Sequence, residues 1–158
     1  MAKPETPRTF DLADEAATIV LAQHLAPALR GGGVLYLRGE LGAGKTTFAR
    51  ALLQALGAGE RIKSPTYSLL ERYALRDGRD AFHLDLYRIA APGEMEWLGL
   101  DELRDPQALV LVEWPERGGA ALPPADLEIA LEHAGGGRYA RLQAVSTRAA
   151  KWLSPTTN

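Results

Sequence analysis

The sequence predicts an α/β domain with a mixed central sheet, flanking helices and antiparallel edge hairpins, and three stretches predict it. The first is Gly39-Glu40-Leu41-Gly42-Ala43-Gly44-Lys45-Thr46-Thr47, a glycine, four residues, then Gly-Lys-Thr. The apolar run Val34 to Leu37 precedes it, and Phe48, Leu52 and Leu56 recur at helical spacing behind it. The second is the continuous apolar run Ala108 to Val112 ending at Glu113, the pattern of a strand buried on both faces. The third is a pair of β-rich stretches, Tyr67 to Ala74 and Asp80 to Tyr87, separated by Arg76-Asp77-Gly78-Arg79, whose Asp-Gly step is a hairpin signal. Strand, glycine loop and helix in that order predict a single P-loop NTPase-like domain, assigned to residues 1–145, with 146–158 as a tail, helical or disordered.

A chain of 158 residues fits one such domain and can bury a core without cross-links. Its net charge of −2 lacks the basic footprint of an independent nucleic-acid binder, so any nucleic-acid role is indirect. With no cysteine, disulfides, thiol nucleophiles and thiolate metal sites are excluded. Met1 to Thr9 carries Lys3, Glu5, Arg8 and two prolines instead of the apolar core of a signal peptide, and no apolar run approaches a membrane span. The expectation is a soluble cytoplasmic protein with no membrane contact.

Taken in order, Phe10 to Leu12 make a short first strand, and Asp11 or Asp14 caps a helix whose Ala17, Leu21, Leu25 and Leu29 form one stripe. Pro27 kinks its last turn. Gly31-Gly32-Gly33 ends that helix and admits the central strand Val34 to Leu37. His24 reads as a surface residue. Gly57 and Gly59 close the helix that starts at the glycine loop. In the second β-rich stretch His83, Asp85 and Tyr87 share one face and Phe82, Leu84 and Leu86 the other, which makes one face polar. Pro92-Gly93 opens a short helical region whose Met95, Trp97, Leu98, Leu100 and Leu103 serve as core and covering contacts. Leu127, Ile129 and Leu131 alternate with small or polar residues, and Gly135-Gly136-Gly137 turns the chain into Tyr139 to Val145, an edge hairpin.

The glycine loop is a phosphate cradle. Its N–H groups converge at the positive end of a helix, Lys45 reaches the terminal phosphates, and the Thr46 hydroxyl serves a magnesium ion, which takes few protein ligands. A nucleotide site of this kind also needs an acid, and Asp85 and Glu113 compete for that duty. Glu113 follows the stronger buried-strand signal and is the leading metal-shell acid, direct or through water. Asp85 then orients or deprotonates the attacking water, although either carboxylate can take either role and each has an ordinary reading as a strand-end acid. Ser64-Pro65-Thr66 is either a plain proline turn or a nucleotide-sensing loop in which Thr66 meets the terminal phosphate or its metal. Arg88 either offsets charge developing in phosphoryl transfer or makes a structural ion pair. His83 has no partner cluster of a metal site, and Trp114 can stack on a ligand, pack locally or face a partner.

Leu41-Gly42-Ala43-Gly44-Lys45-Thr46-Thr47, Ser64-Pro65-Thr66-Tyr67, His83-Leu84-Asp85-Leu86-Tyr87-Arg88 and Glu113-Trp114-Pro115, in this order, resemble the TsaE (YjeE) family from about Phe10 to Ala144. The glycine loop is widely shared, whereas the three later motifs together are narrow. The resemblance implies an ATPase of the bacterial machinery that makes threonylcarbamoyladenosine in tRNA, working with TsaB and TsaD and slow without them. It further implies that Thr46 and Glu113 serve Mg2+, that Gly42, Ala43, Gly44, Lys45, Thr46 and Thr47 bind ATP, and that the start of the first helix near Glu15 approaches the nucleotide. The competing readings are a small-molecule P-loop kinase, which must also bind a phosphate acceptor, and a nucleotide-dependent binding module with negligible turnover. No Asn-Lys-x-Asp or Thr-Lys-x-Asp guanine-reading motif is present, which favours ATP over GTP.

Overall fold

The computed structural model describes residues 7–59, 61–62, 70–90 and 100–153. Among the described residues eight strands form one mixed sheet: β1 (Arg8–Leu12), β2 (Gly33–Arg38), β3 (Arg61–Ile62), β4 (Leu70–Ala74), β5 (Asp80–Asp85), β6 (Leu109–Glu113), β7 (Leu127–Ala134) and β8 (Gly137–Ala144). Their order across the sheet is β1-β8-β7-β2-β6-β5-β4-β3. The centre is parallel, β7 and β6 flanking β2 and β5 lying beside β6, while both wings are antiparallel. The fold class expected from the sequence is therefore the one observed, and the Asp-Gly turn does join an antiparallel pair, β4 and β5. The β7–β8 hairpin lies further in than expected. Its first strand pairs with β2 at the centre and its second is covered by β1, so the β1 strand forms that edge of the sheet.

Side-chain alternation divides the core into two layers. Leu35 and Leu37 of β2, Leu109 and Leu111 of β6, and Leu127, Ile129 and Leu131 of β7 face the helices α1 (Glu15–Leu25), α2 (Lys45–Ala55) and α3 (Thr147–Trp152). Val34, Val110, Val112, Phe82 and Leu84 face the opposite layer with Leu103 and Leu122. Phe48 and Leu52 of α2 are fully buried, and each such side chain contributes about 1.5–3 kcal/mol relative to exposure. The same alternation puts Glu113 on the helix side with Leu111, and His83 on the helix side with Ala81.

Asp14 caps α1 by accepting from the Ala17 amide at 2.9 Å, and Pro27 sits in the 3-10 turn Ala26–Leu29 into which α1 tightens. His24 is exposed, as expected. Gly57 follows α2 with a φ of 79°. In the region after Pro92-Gly93, the described part begins at a 3-10 turn, Leu100–Arg104, which buries Leu103. Beyond β8, Ser146 caps α3 through the Ala149 amide at 3.2 Å, and Ala149 and Leu153 are buried against the core.

Candidate nucleotide site

The parallel registers bring the ends of three strands level. Leu37 of β2 stands opposite Glu113 of β6, and Glu113 stands opposite Asp85 of β5, at the carboxyl edge of the sheet. Carboxyl edges of open α/β sheets are where ligands bind, because the loops there connect to helix N-termini. The chain leaves β2 through Gly39 to Gly44 and enters α2 at Lys45. Two of these glycines are required by the path. Gly44 caps α2 at a φ of 105°, and a Cβ on Gly39, whose φ is 142°, would strike the backbone carbonyl of Leu131.

A cavity of about 320 Å³ opens over this loop, lined by Gly42, Gly44, Lys45, Thr46 and Thr47, by Asp85 and Tyr87, by Glu113 and Trp114, and by Leu41 and Arg138. Thr46 Oγ1 donates at 2.9 Å to each carboxylate oxygen of Glu113, which is itself 3% exposed. Lys45 is 4% exposed; its ammonium donates to the carbonyls of Gly39 and Glu40 and lies 4.1 Å from the centroid of the Trp114 ring. Burial holds the Lys45 pKa below its ordinary value, against the opposing pull of Glu113, Asp85 and Glu116. Asp85 accepts from the Tyr87 amide at 3.1 Å and faces the same cavity.

The sequence-predicted residues Gly42, Gly44, Lys45, Thr46, Thr47, Asp85 and Glu113 therefore converge on one cavity, and Ala43 is buried beneath the loop. Glu15 is exposed in the first turn of α1 and does not line the cavity. Arg88 is exposed and is not among the lining residues. Thr66, with the rest of Lys63-Ser64-Pro65-Thr66, lies outside the described residues.

Four residues acquire roles in the site that their sequence context did not specify. Trp114 has a φ of 58°, the positive-φ non-glycine position among the described residues, and such a backbone costs about 1–3 kcal/mol. That twist turns its ring onto Lys45 and to within 5.1 Å of the Tyr87 ring, while Arg117 stands over both. Arg138 reaches across from β8, its Nη2 3.4 Å from the Gly42 carbonyl and its buried Nη1 without a hydrogen-bond partner. His83 lies between two acids, Nε2 2.7 Å from Glu113 and Nδ1 3.2 Å from Glu71. Burial alone would lower its pKa, but the two carboxylates outweigh burial and push it up to about 9. The sequence signals were the paired motif residues His83 and Glu113 and the polar face of β5; neither identified the contact.

A nucleotide-bound magnesium ion fits this donor set. Among the described residues no group of three or more His, Cys, Asp or Glu could cage a metal, whereas a hydroxyl and a buried carboxylate in contact match an ion that draws its other ligands from phosphate and water. A larger groove of about 780 Å³ lies between β1, α1 and α3 and shares no lining residue with this cavity.

Comparison with known proteins identifies the family and the fold. A family model described as threonylcarbamoyl adenosine biosynthesis protein TsaE matches residues 12–141. The chain is 40% identical over 117 residues to the Haemophilus influenzae tRNA threonylcarbamoyladenosine biosynthesis protein TsaE, covering 74% of this chain and 71% of that protein. It is 39% identical over 119 residues to the Bacillus subtilis protein of the same description, covering 75% and 73%, and 37% identical over 123 residues to that of Aquifex aeolicus, covering 77% and 84%. The crystal structure of Bacillus subtilis YdiB superposes with a TM-score of 0.75 at 30% identity, over 96% of this chain and 94% of that one.

Proposed function

This chain belongs to the TsaE family of threonylcarbamoyl adenosine biosynthesis proteins, and from that premise we propose that it is a magnesium-dependent ATPase supporting threonylcarbamoyladenosine formation in tRNA through TsaB and TsaD. One observation carries the reading: the Thr46 hydroxyl meets both oxygens of the buried Glu113 beside the Lys45 ammonium, at the mouth of a glycine loop.

In this reading the N–H groups of the loop and the N-terminus of α2 hold the phosphate chain, and Lys45 exchanges the carbonyls of Gly39 and Glu40 for phosphate oxygens. Thr46 and Glu113 would hold magnesium, which when bound there would supply positive charge against the negative charge that develops during transfer. Asp85, level with Glu113 on the next strand, orients the attacking water and takes its proton, with Glu113 as the other acid in reach. The bond formed joins water oxygen to the terminal phosphorus, and the bond broken is the one to the ADP oxygen.

Turnover is slow in the isolated chain, and tRNA is held by the partners in the cytoplasm. The net charge of −2 supports the indirect role, and no described helix is long and apolar enough to cross a membrane. The test is ATP turnover by the purified chain with and without TsaB and TsaD. Stimulation by the pair is expected. Turnover that instead requires a small phosphate acceptor would make the chain a kinase, and saturable binding with no turnover in either condition would make it a binding module.

A further inference from the structure

We propose that His83 is a positioning residue for Glu113: its ring, wedged between two carboxylates, holds Oε2 and leaves Oε1 as the oxygen that turns toward a divalent cation or its water shell. The inference rests on the reading above, in which Thr46 and Glu113 serve magnesium.

The geometry begins with strand register. Glu71 of β4, His83 of β5 and Leu111 of β6 stand in one row across three strands, and Glu113 follows two residues after Leu111 on the same face. The imidazole is therefore flanked by an acid on each side. Nε2 lies 2.7 Å from Glu113 Oε2, and because an ionised carboxylate can only accept, that nitrogen carries the proton and donates. Nδ1 lies 3.2 Å from Glu71 Oε1. The His83 and Glu113 side chains are each 4% exposed, so water does not compete for their contact, whereas the Glu71 side chain is 20% exposed.

The two oxygens of Glu113 are consequently unequal. Oε2 receives both His83 and the Thr46 hydroxyl, while Oε1 receives the hydroxyl alone among the described residues. When the Thr46 oxygen turns to a cation, Oε2 keeps its donor and Oε1 loses it. The ring is held by the Nε2 hydrogen bond to Oε2, with the Glu71 carboxylate 3.2 Å from Nδ1 as an ion-pair neighbour that completes no hydrogen bond, so one oxygen of Glu113 is engaged and the other presented. Partners of this outer kind set ligand orientation, and their loss typically weakens metal affinity about 10–100-fold.

Glutamine and asparagine separate this role from packing, because a glutamine amide nitrogen reaches the place of the imidazole Nε2, whereas an asparagine amide reaches only that of Nδ1. Titration of the full chain with Mn2+ in the presence of ADP, read by electron paramagnetic resonance, measures the effect, with metal-free ADP affinity and circular dichroism melts alongside. His83→Gln is expected to keep Mn2+ affinity within about threefold of the parent, and His83→Asn to lose about 10–100-fold, with metal-free ADP binding unchanged. Equal losses in both variants would reduce His83 to packing, and no loss in either would remove the role; each result overturns the proposal. Should His83→Asn fail to fold, Glu71→Gln leaves the ring in place without the acid behind Nδ1. A smaller loss in the same direction is then expected, and unaltered affinity overturns the proposal. Glu113→Gln is the control for the underlying reading: Mn2+ affinity that survives it refutes the assignment of Glu113 itself, whatever the His83 variants do.

Discussion

The hydroxyl of Thr46 lies 2.9 Å from both carboxylate oxygens of Glu113, although the two residues are 67 positions apart. One opens the helix behind the glycine loop and the other ends a central strand, so the contact exists only if β2 and β6 are neighbours in register. Glu113→Gln preserves the size and one acceptor oxygen while removing the charge. Turnover in the presence of the partners should fall about 10²-fold, with nucleotide affinity changed much less, since the lost charge acts where negative charge develops. Asp85→Asn should also lower turnover. Normal hydrolysis by both variants would rule out the two-acid arrangement.

Lys45→Ala removes a cation that burial keeps among loop carbonyls and against the Trp114 ring. Hydrogen bonds to charged groups contribute about 1.5–3 kcal/mol, so triphosphate affinity should drop by roughly one to two orders of magnitude. The fold should persist, because Phe48 and Leu52 anchor α2 independently of this side chain. Calorimetric titration with Mg-ATP and a far-ultraviolet spectrum check the two halves. Unchanged affinity would remove Lys45 from the phosphate site.

Much of this site is legible in the sequence because its parts are local. A glycine loop between a strand and a helix announces its own geometry, and an apolar run ending in one acid announces a buried strand with its acid at the carboxyl edge. What the sequence left open depends on register between distant strands. His83 meets Glu113 only because β5 lies beside β6, and Arg138 reaches Gly42 only because the β7–β8 hairpin is drawn in beside β2 and covered by β1. An alternating strand followed by a glycine turn reads equally well as an edge hairpin, since the pattern specifies a buried face and not the neighbour. Trp114 was open for another reason: its role follows from a backbone twist that proline at the next position disfavours.

If nucleotide state controls the partners, affinity for TsaB–TsaD must differ between nucleotide states, because a ligand that binds two conformations equally shifts neither. Leu41 and Tyr87, exposed at the margin of the cavity, are placed to report that state to a partner. Binding to TsaB–TsaD should differ by at least about fivefold between Mg-ADP and a non-hydrolysable ATP analogue. Bare tRNA should bind weakly at physiological salt. Equal partner affinities in both states, or tight tRNA binding by the chain alone, would contradict the proposed division of labour.

Stability should depend on pH through Asp126, which fastens the start of β2 to α3. Its Oδ2 accepts from the Val34 amide at 2.9 Å and from Arg148 Nη2 at 2.8 Å, and the side chain is 12% exposed. Burial alone would raise its pKa, but the hydrogen bonds from Arg148, Ser146 and the Val34 amide outweigh burial and hold it below the ordinary carboxylate value. A depressed pKa means that the unfolded chain takes up the proton first. The stabilisation is therefore complete above the unfolded value of about 3.9 and is lost as pH falls through the lower folded value. Asp126→Asn should cost about 1–3 kcal/mol at pH 7, since it leaves a neutral oxygen facing Arg148 and the Val34 amide. The difference between parent and variant should shrink as the pH is lowered below about 4, where the unfolded parent takes up the proton that the folded carboxyl still resists. Urea denaturation of both proteins at pH 7, at pH 5 and at the lowest pH where the parent still folds gives the comparison. A deficit of the same size at every pH would show that Asp126 acts by shape alone and that its charge contributes nothing.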